Sequence, residues 1–92
     1  MNQNIKHAYS GKAFALYMLD KYNESLTEFD RALKLEPSDR HIFLGKALVF
    51  SELEEYEEAI VEYDKILELN PGDEDAKNGR NMALEYLEKS EL

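Results

Sequence analysis

Two histidines, His7 and His41, stand 34 residues apart in this 92-residue chain. Imidazole is a zinc ligand, and zinc holds its nitrogen donors at about 2 Å. The flanks of the two histidines match. His7-Ala8-Tyr9-Ser10-Gly11-Lys12-Ala13 has the same layout as His41-Ile42-Phe43-Leu44-Gly45-Lys46-Ala47. Equivalent helices of successive repeats lie up to two helix spacings apart, each about 8–10 Å. A shared metal is therefore not expected, and the chain has no third histidine to complete a site. The abundant carboxylates offer chance pairs, but nothing marks a pocket with one raised pKa, as glycoside hydrolysis would need. The glycines are single and far apart, so no phosphate-cradling loop is present. Ser10, Ser25, Ser38, Ser51 and Ser90 lack a recognisable nucleophile setting. With no cysteine, disulfides, thiolate sites and cysteine nucleophiles are excluded. The expectation is no enzyme, no metal and no cofactor.

Composition narrows the partners. The 92 residues suffice for one domain, expected to span 1–92. Formal net charge is −9, with basic residues scattered among more numerous acids. Nucleic acid and anionic membrane surfaces are thus not expected partners, because both call for a basic patch. Glu52, Glu54, Glu55, Glu57 and Glu58 crowd one turn and read first as a solvated face. No apolar run approaches the roughly 20 residues of a membrane span. Met1-Asn2-Gln3-Asn4-Ile5-Lys6 lacks the apolar stretch of a secretion signal. A cytoplasmic location is expected.

The elements that would position these residues follow from period and punctuation. Tyr9, Ala13, Leu16 and Tyr17 share one helical face, and Phe43, Ala47, Phe50 and Ser51 copy it. Leu26, Phe29, Ala32 and Leu33 form a second stripe, copied by Ile60, Tyr63, Ile66 and Leu67. Each copy is therefore a helix pair. The turns inside them are read at Asp20–Asn23, with Asn23 as helix N-cap, and at Glu54–Glu57. Pro37 and Pro71 close the pairs, since proline lacks an amide proton and clashes with the preceding turn. Asp39 and Asp73 can cap the helices that follow. A fifth helix is expected over about 74–89, with Ala76, Arg80, Ala83, Leu84 and Leu87 along one side.

A fixed period of this length marks a stacked repeat. In detail the chain resembles the tetratricopeptide-repeat family. The family's signature places hold Tyr9, Lys12-Ala13, Leu16, Ser25, Phe29 and Pro37 in the first copy. In the second they hold Phe43, Lys46-Ala47, Phe50, Ala59, Tyr63 and Pro71. Tyr22-Asn23-Glu24-Ser25-Leu26 and Tyr56-Glu57-Glu58-Ala59-Ile60 look like its turn into the second helix. The resemblance implies an all-α solenoid of five helices: repeat one at about 6–39, repeat two at about 40–73, and a capping helix at about 74–90.

It also implies work. Such solenoids are right-handed superhelices whose first helices line a concave surface that binds a peptide or helix of a partner protein. Carried onto this chain, the groove residues are Ser10, Phe14, Tyr17, Met18, Leu44, Leu48, Ser51, Glu52, Asn78 and Met82, with His7, Gly11, His41, Gly45, Asp75 and Gly79 on the same surface. One family subtype grips a C-terminal carboxylate with Lys, Arg and Asn. Here those places hold Ser10, Phe14, Gly45 and Gly79, so that clamp is absent. The lining is mostly apolar, and the expected partner is an apolar segment with basic flanks. Two alternatives stay open. The apolar residues could pack between neighbouring helices, and the recurring glycines could relieve crowding rather than admit a ligand backbone. The chain could also self-associate as a homodimer, or be one module of a longer array, because solenoids usually need about three repeats.

Overall fold

The computed structural model describes residues 2–90, with side chains from residue 5; the outermost positions of the expected 1–92 span lie outside the described residues. Five helices follow one another: α1 Asn2–Met18, α2 Tyr22–Leu35, α3 Arg40–Glu52, α4 Tyr56–Leu69 and α5 Glu74–Ser90. Consecutive helices pack, and α1 also touches α3. The result is an elongated body of 48 × 29 × 16 Å, as expected of an all-α solenoid of two pairs and a cap.

Local chemistry sets each helix end. Glu36 and Asn70 precede the two prolines and adopt extended backbone, φ −143° and −150°, because a proline ring crowds the α-region of the residue before it. The turns inside the pairs are tighter than expected. Asp20 and Glu54 adopt left-handed φ of 63° and 60°. Lys21 N then reaches Leu16 O, and Glu55 N reaches Phe50 O, each at 2.8 Å, closing a Schellman turn. This corrects the capping role expected of Asn23. The left-handed residue turns the chain so sharply that α2 begins at Tyr22, Asn23 falls inside its first turn, and Lys21 at the N-cap makes no side-chain cap bond. Asp39 does cap α3, accepting from His41 N at 2.8 Å, and Asp73 accepts from Ala76 N of α5 at 3.0 Å.

Two apolar clusters form the interior. Ala13, Phe29, Ala32, Ile42 and Val49 make the first. Phe43, Ala47, Ala59, Tyr63, Ile66 and Ala76 make the second, and Leu33 packs against both. Small residues sit where helices cross closely; Ser25 is one, its hydroxyl donating to Ala13 O at 2.7 Å.

Between repeats one seam occurs twice. The tip of the Phe29 ring fills the space that a Cβ on Gly45 would take, and the tip of the Tyr63 ring does the same at Gly79. The neighbouring charges pair too: Asp30 with Lys46 at 3.0 Å, Asp64 with Arg80 at 2.7 Å. At these two glycines, relief of crowding is the reading the structure supports, because the protein's own rings occupy the space. A second ionic link ties the start of one first helix to the cap of the next. Lys6 meets Asp39 at 2.9 Å, and Arg40 forks onto Asp73 while its Nη2 also donates to Asp75 at 3.0 Å. Buried Glu28 and Glu62, another repeated pair, each sit between two basic side chains.

The seam predicts opposite effects from one substitution. A Cβ on Gly45 would come within 2.8 Å of Phe29 Cε1, and Phe29 is fully buried. Gly45→Ala should therefore destabilise the fold by about 1–3 kcal/mol. Gly11 has nothing within 4 Å of such a Cβ. Gly11→Ala should stabilise it by about 0.5–1 kcal/mol through helix propensity alone. Urea unfolding of both variants reads the two signs.

A second prediction concerns acid. Arg40, then the Ala76 amide, hold the Asp73 carboxyl down at about 2, below its ordinary 3.8. Burial works to raise Asp39, but Lys6 and two backbone amides outweigh it, and its pKa is also lowered. A carboxyl depressed in the fold contributes stability above its unfolded pKa and loses it as pH falls through the folded one. The midpoint of thermal unfolding should drop between about pH 4 and about pH 2, and less steeply in Asp73→Asn.

Candidate functional site

Cavities lined by α1 with α3 and by α3 with α5 bring these helices together, and their residues recur at the 34-residue period. Phe14, Leu48 and Met82 are one such series, and all three are exposed, at 37%, 36% and 55%. Met18, Glu52 and Tyr86 are another, each exposed. Ser10 is half-buried and turns its hydroxyl back to His7 O at 3.3 Å. Phe14 meets Phe29 edge-on, with ring centroids 4.9 Å apart. Half-buried Leu44 packs against the second apolar cluster. Tyr17 leans on Tyr22 at 5.9 Å. Ser51 is half-buried, and Asn78 is exposed.

Among the described residues, two of the cavities open between these helices. The larger, about 360 Å³, lies between α3 and α5. It gathers Leu48, Ser51, Glu52 and Met82 of the expected groove residues, with Gly79 and Ala83 beside them. Tyr56 and Tyr63 of α4 and Tyr86 of α5 complete it. The smaller, about 330 Å³, joins His7, Ser10 and Phe14 of α1 to His41 and Ile42 of α3 and to Asp39. Tyr17, Met18, Leu44 and Asn78 line neither. Both histidines thus border one cavity, but among the described residues no group of three or more histidines and carboxylates is placed to hold a metal.

The larger cavity owes its character to tyrosines. Tyr22 and Tyr56 open the second helices of the two pairs, and each reaches a residue 30 positions on. Tyr22 donates to Glu52 Oε1 at 3.4 Å, as well as to Asp20 Oδ1 at 2.9 Å. Tyr56 instead stacks on Tyr86, with ring centroids 5.2 Å apart and planes within 13°. Burial, then Glu52 and Asp20, push the Tyr17 hydroxyl up. The hydrogen bond to Asp20 is the chief cause lifting Tyr22 to about 12. Burial and then Glu54 raise Tyr56, with Glu52 contributing. Burial raises Tyr63 against a hydrogen bond with Ser51. Carboxylates thus contribute to the raised pKa of Tyr17, Tyr22 and Tyr56, and burial accounts for that of Tyr63.

Sequence reasoning did not nominate Tyr56, Tyr63 or Tyr86. Tyr56 reads as a turn residue and Tyr63 as part of a buried stripe, and both readings are also true. The signal for Tyr86 was available: the series that nominated Met18 and Glu52 reaches Tyr86 after one more period.

Exposed Phe14, Leu48 and Met82 thus border the two cavities, the larger carrying one acid, Glu52, and the smaller Asp39. Two family models, both described as tetratricopeptide repeat, match residues 7–39 and 41–73. The chain belongs to the tetratricopeptide-repeat family. As a tetratricopeptide-repeat protein it is a protein–protein interaction module, of a kind that is generally not enzymatic. Among solved structures it is similar to the Arabidopsis OM64 TPR domain, with a TM-score of 0.87 and 21% identity over 97% of this chain and 74% of that one. It is also similar to MamA protein, with a TM-score of 0.70 and 23% identity over 91% of this chain and 51% of that one. At these identities the likeness is one of fold. No curated protein matches the chain. Among the described residues, no helix is long and apolar enough to cross a membrane.

Proposed function

We propose that this tetratricopeptide-repeat chain, taken as one domain over 1–92, is a cytoplasmic adaptor that binds a peptide or helix of a partner protein across α1, α3 and α5. The observation that carries the reading is the row Phe14, Leu48 and Met82, exposed and repeated at the period of the solenoid. Contiguous exposed apolar surface usually marks a contact site. The acidic surroundings suit a partner whose apolar segment has basic flanks, and complementary charge speeds encounter. The same acidity argues against nucleic acid and anionic membranes.

The test uses peptides selected from a random display library against the wild-type chain, with affinities measured by calorimetry. Leu48→Glu should weaken the selected peptides by tenfold or more, about 1.4 kcal/mol, while helical content stays unchanged. Unchanged affinity in that variant would sink the groove reading.

One observation favours a second reading, self-association. Ala8, Gly11 and Ala15 of α1 are exposed, and Gly11 carries no ring like those on Gly45 and Gly79. A second copy covering this face would make the melting midpoint rise with protein concentration. A midpoint that holds over a hundredfold range would exclude the dimer.

A further inference from the structure

The cavity between α3 and α5 has a chemistry more specific than an apolar groove. Its rim carries the Glu52 carboxylate, and beside it lies the Tyr56–Tyr86 stack. Tyr86 is 49% exposed, so the stack ends in an accessible aromatic surface. Several acids that lie between helices pair with the chain's own cations: Asp30 with Lys46, Asp64 with Arg80, Asp73 with Arg40, and Glu28 and Glu62 with two each. Glu52 receives only the long bond from Tyr22, and among the described residues no basic side chain pairs with it. It differs from the solvated glutamates of the neighbouring turn in bordering a cavity walled by tyrosines. An aromatic face next to an unpaired carboxylate in a negative field attracts a cation.

We propose that this cavity is a subsite for an arginine side chain of the bound partner, with the guanidinium laid against Tyr86 and paired with Glu52. The proposal rests on the groove reading and names the basic residue that reading leaves open. Shape selects arginine over lysine. The two rings lie within 13° of parallel, so a third planar group extends the stack. A guanidinium is flat and can fork onto a carboxylate, whereas an ammonium is a compact, strongly hydrated point charge. Leu48 and Met82 flank the cavity and suit the methylene stem of the side chain. The attraction comes from the Glu52 carboxylate and the ring faces.

The probe is N-acetyl-arginine methylamide, titrated into isotope-labelled protein and followed by NMR, beside its citrulline and lysine counterparts. Citrulline keeps the shape and removes the charge. The arginine compound should shift the signals of Glu52, Tyr56 and Tyr86 saturably, and citrulline should not. Glu52→Gln, an isosteric change at an exposed side chain, should weaken binding about fivefold, and Tyr86→Ala should do likewise. Equal shifts with citrulline, tighter binding of lysine, or unsaturable shifts spread over the acidic surface would each overturn the subsite. If Leu48→Glu abolishes binding of the library peptides while the arginine compound produces none of the expected shifts, the groove stands and the subsite falls. If Leu48→Glu leaves those peptides bound as before, the groove reading falls and takes the partner-arginine assignment with it.

Discussion

A ring tip in the place of a missing Cβ, Phe29 at Gly45 and Tyr63 at Gly79, sets how closely each second helix meets the first helix of the next repeat. Dispersion falls steeply with separation, so a ring tip that fills the space of a missing Cβ is held in a narrow well. Any side chain at those glycines would push the helices apart. The spacing between α1, α3 and α5 follows from this contact, because α2 and α4 are the wedges between them. The cavities between α1, α3 and α5 are what that spacing leaves over. Gly11, with no ring upon it, marks where the series of seams begins within the described residues.

Charge follows the same register as packing. Asp30–Lys46 and Asp64–Arg80 stand one residue beyond the ring contacts, and Lys6–Asp39 and Arg40–Asp73 fasten the ends of the same interfaces. Exposed ion pairs contribute little singly. Their value here is geometric. The Asp73 carboxylate both receives Arg40 and caps α5, so one residue sets where the last helix starts and how it is tied to the preceding repeat. The interior acids Glu28 and Glu62 each pair through Oε2 with two basic side chains while Oε1 is buried without a partner, and much of the remaining acidity faces outward.

What was legible in the sequence was whatever local sterics or repetition announce. Pro37 and Pro71 end helices for reasons internal to proline, and Asp39 and Asp73 cap for reasons internal to a short carboxylate. Ala13 and Ala47 stood on the helical faces read from the period, and they are fully buried. The left-handed Asp20 and Glu54 were not legible, because a charged residue gives no sign that it will occupy a conformation usually left to glycine. That hidden turn displaced the cap expected at Asn23. The tyrosine wall of the larger cavity was hidden differently. Tyr56 and Tyr63 serve two roles at once, and the more familiar role absorbed them. Tyr86 lay in the cap, where the third instance of the repeat was taken as far as Met82 and stopped short of the Met18–Glu52 series.

The seams join residues only sixteen positions apart. Contact order is therefore low, and chains of this kind fold fast because little loop entropy is lost before contacts form. Each seam can also close without the other, so the ends of the solenoid can fray while its middle holds. The larger cavity has one wall on α3 and the other on α5, the terminal helix. It exists only while α5 is docked. Any ligand seated there binds the docked state alone, and by mass action it tightens the last helix onto the body. Occupancy and completion of the fold are then a single equilibrium.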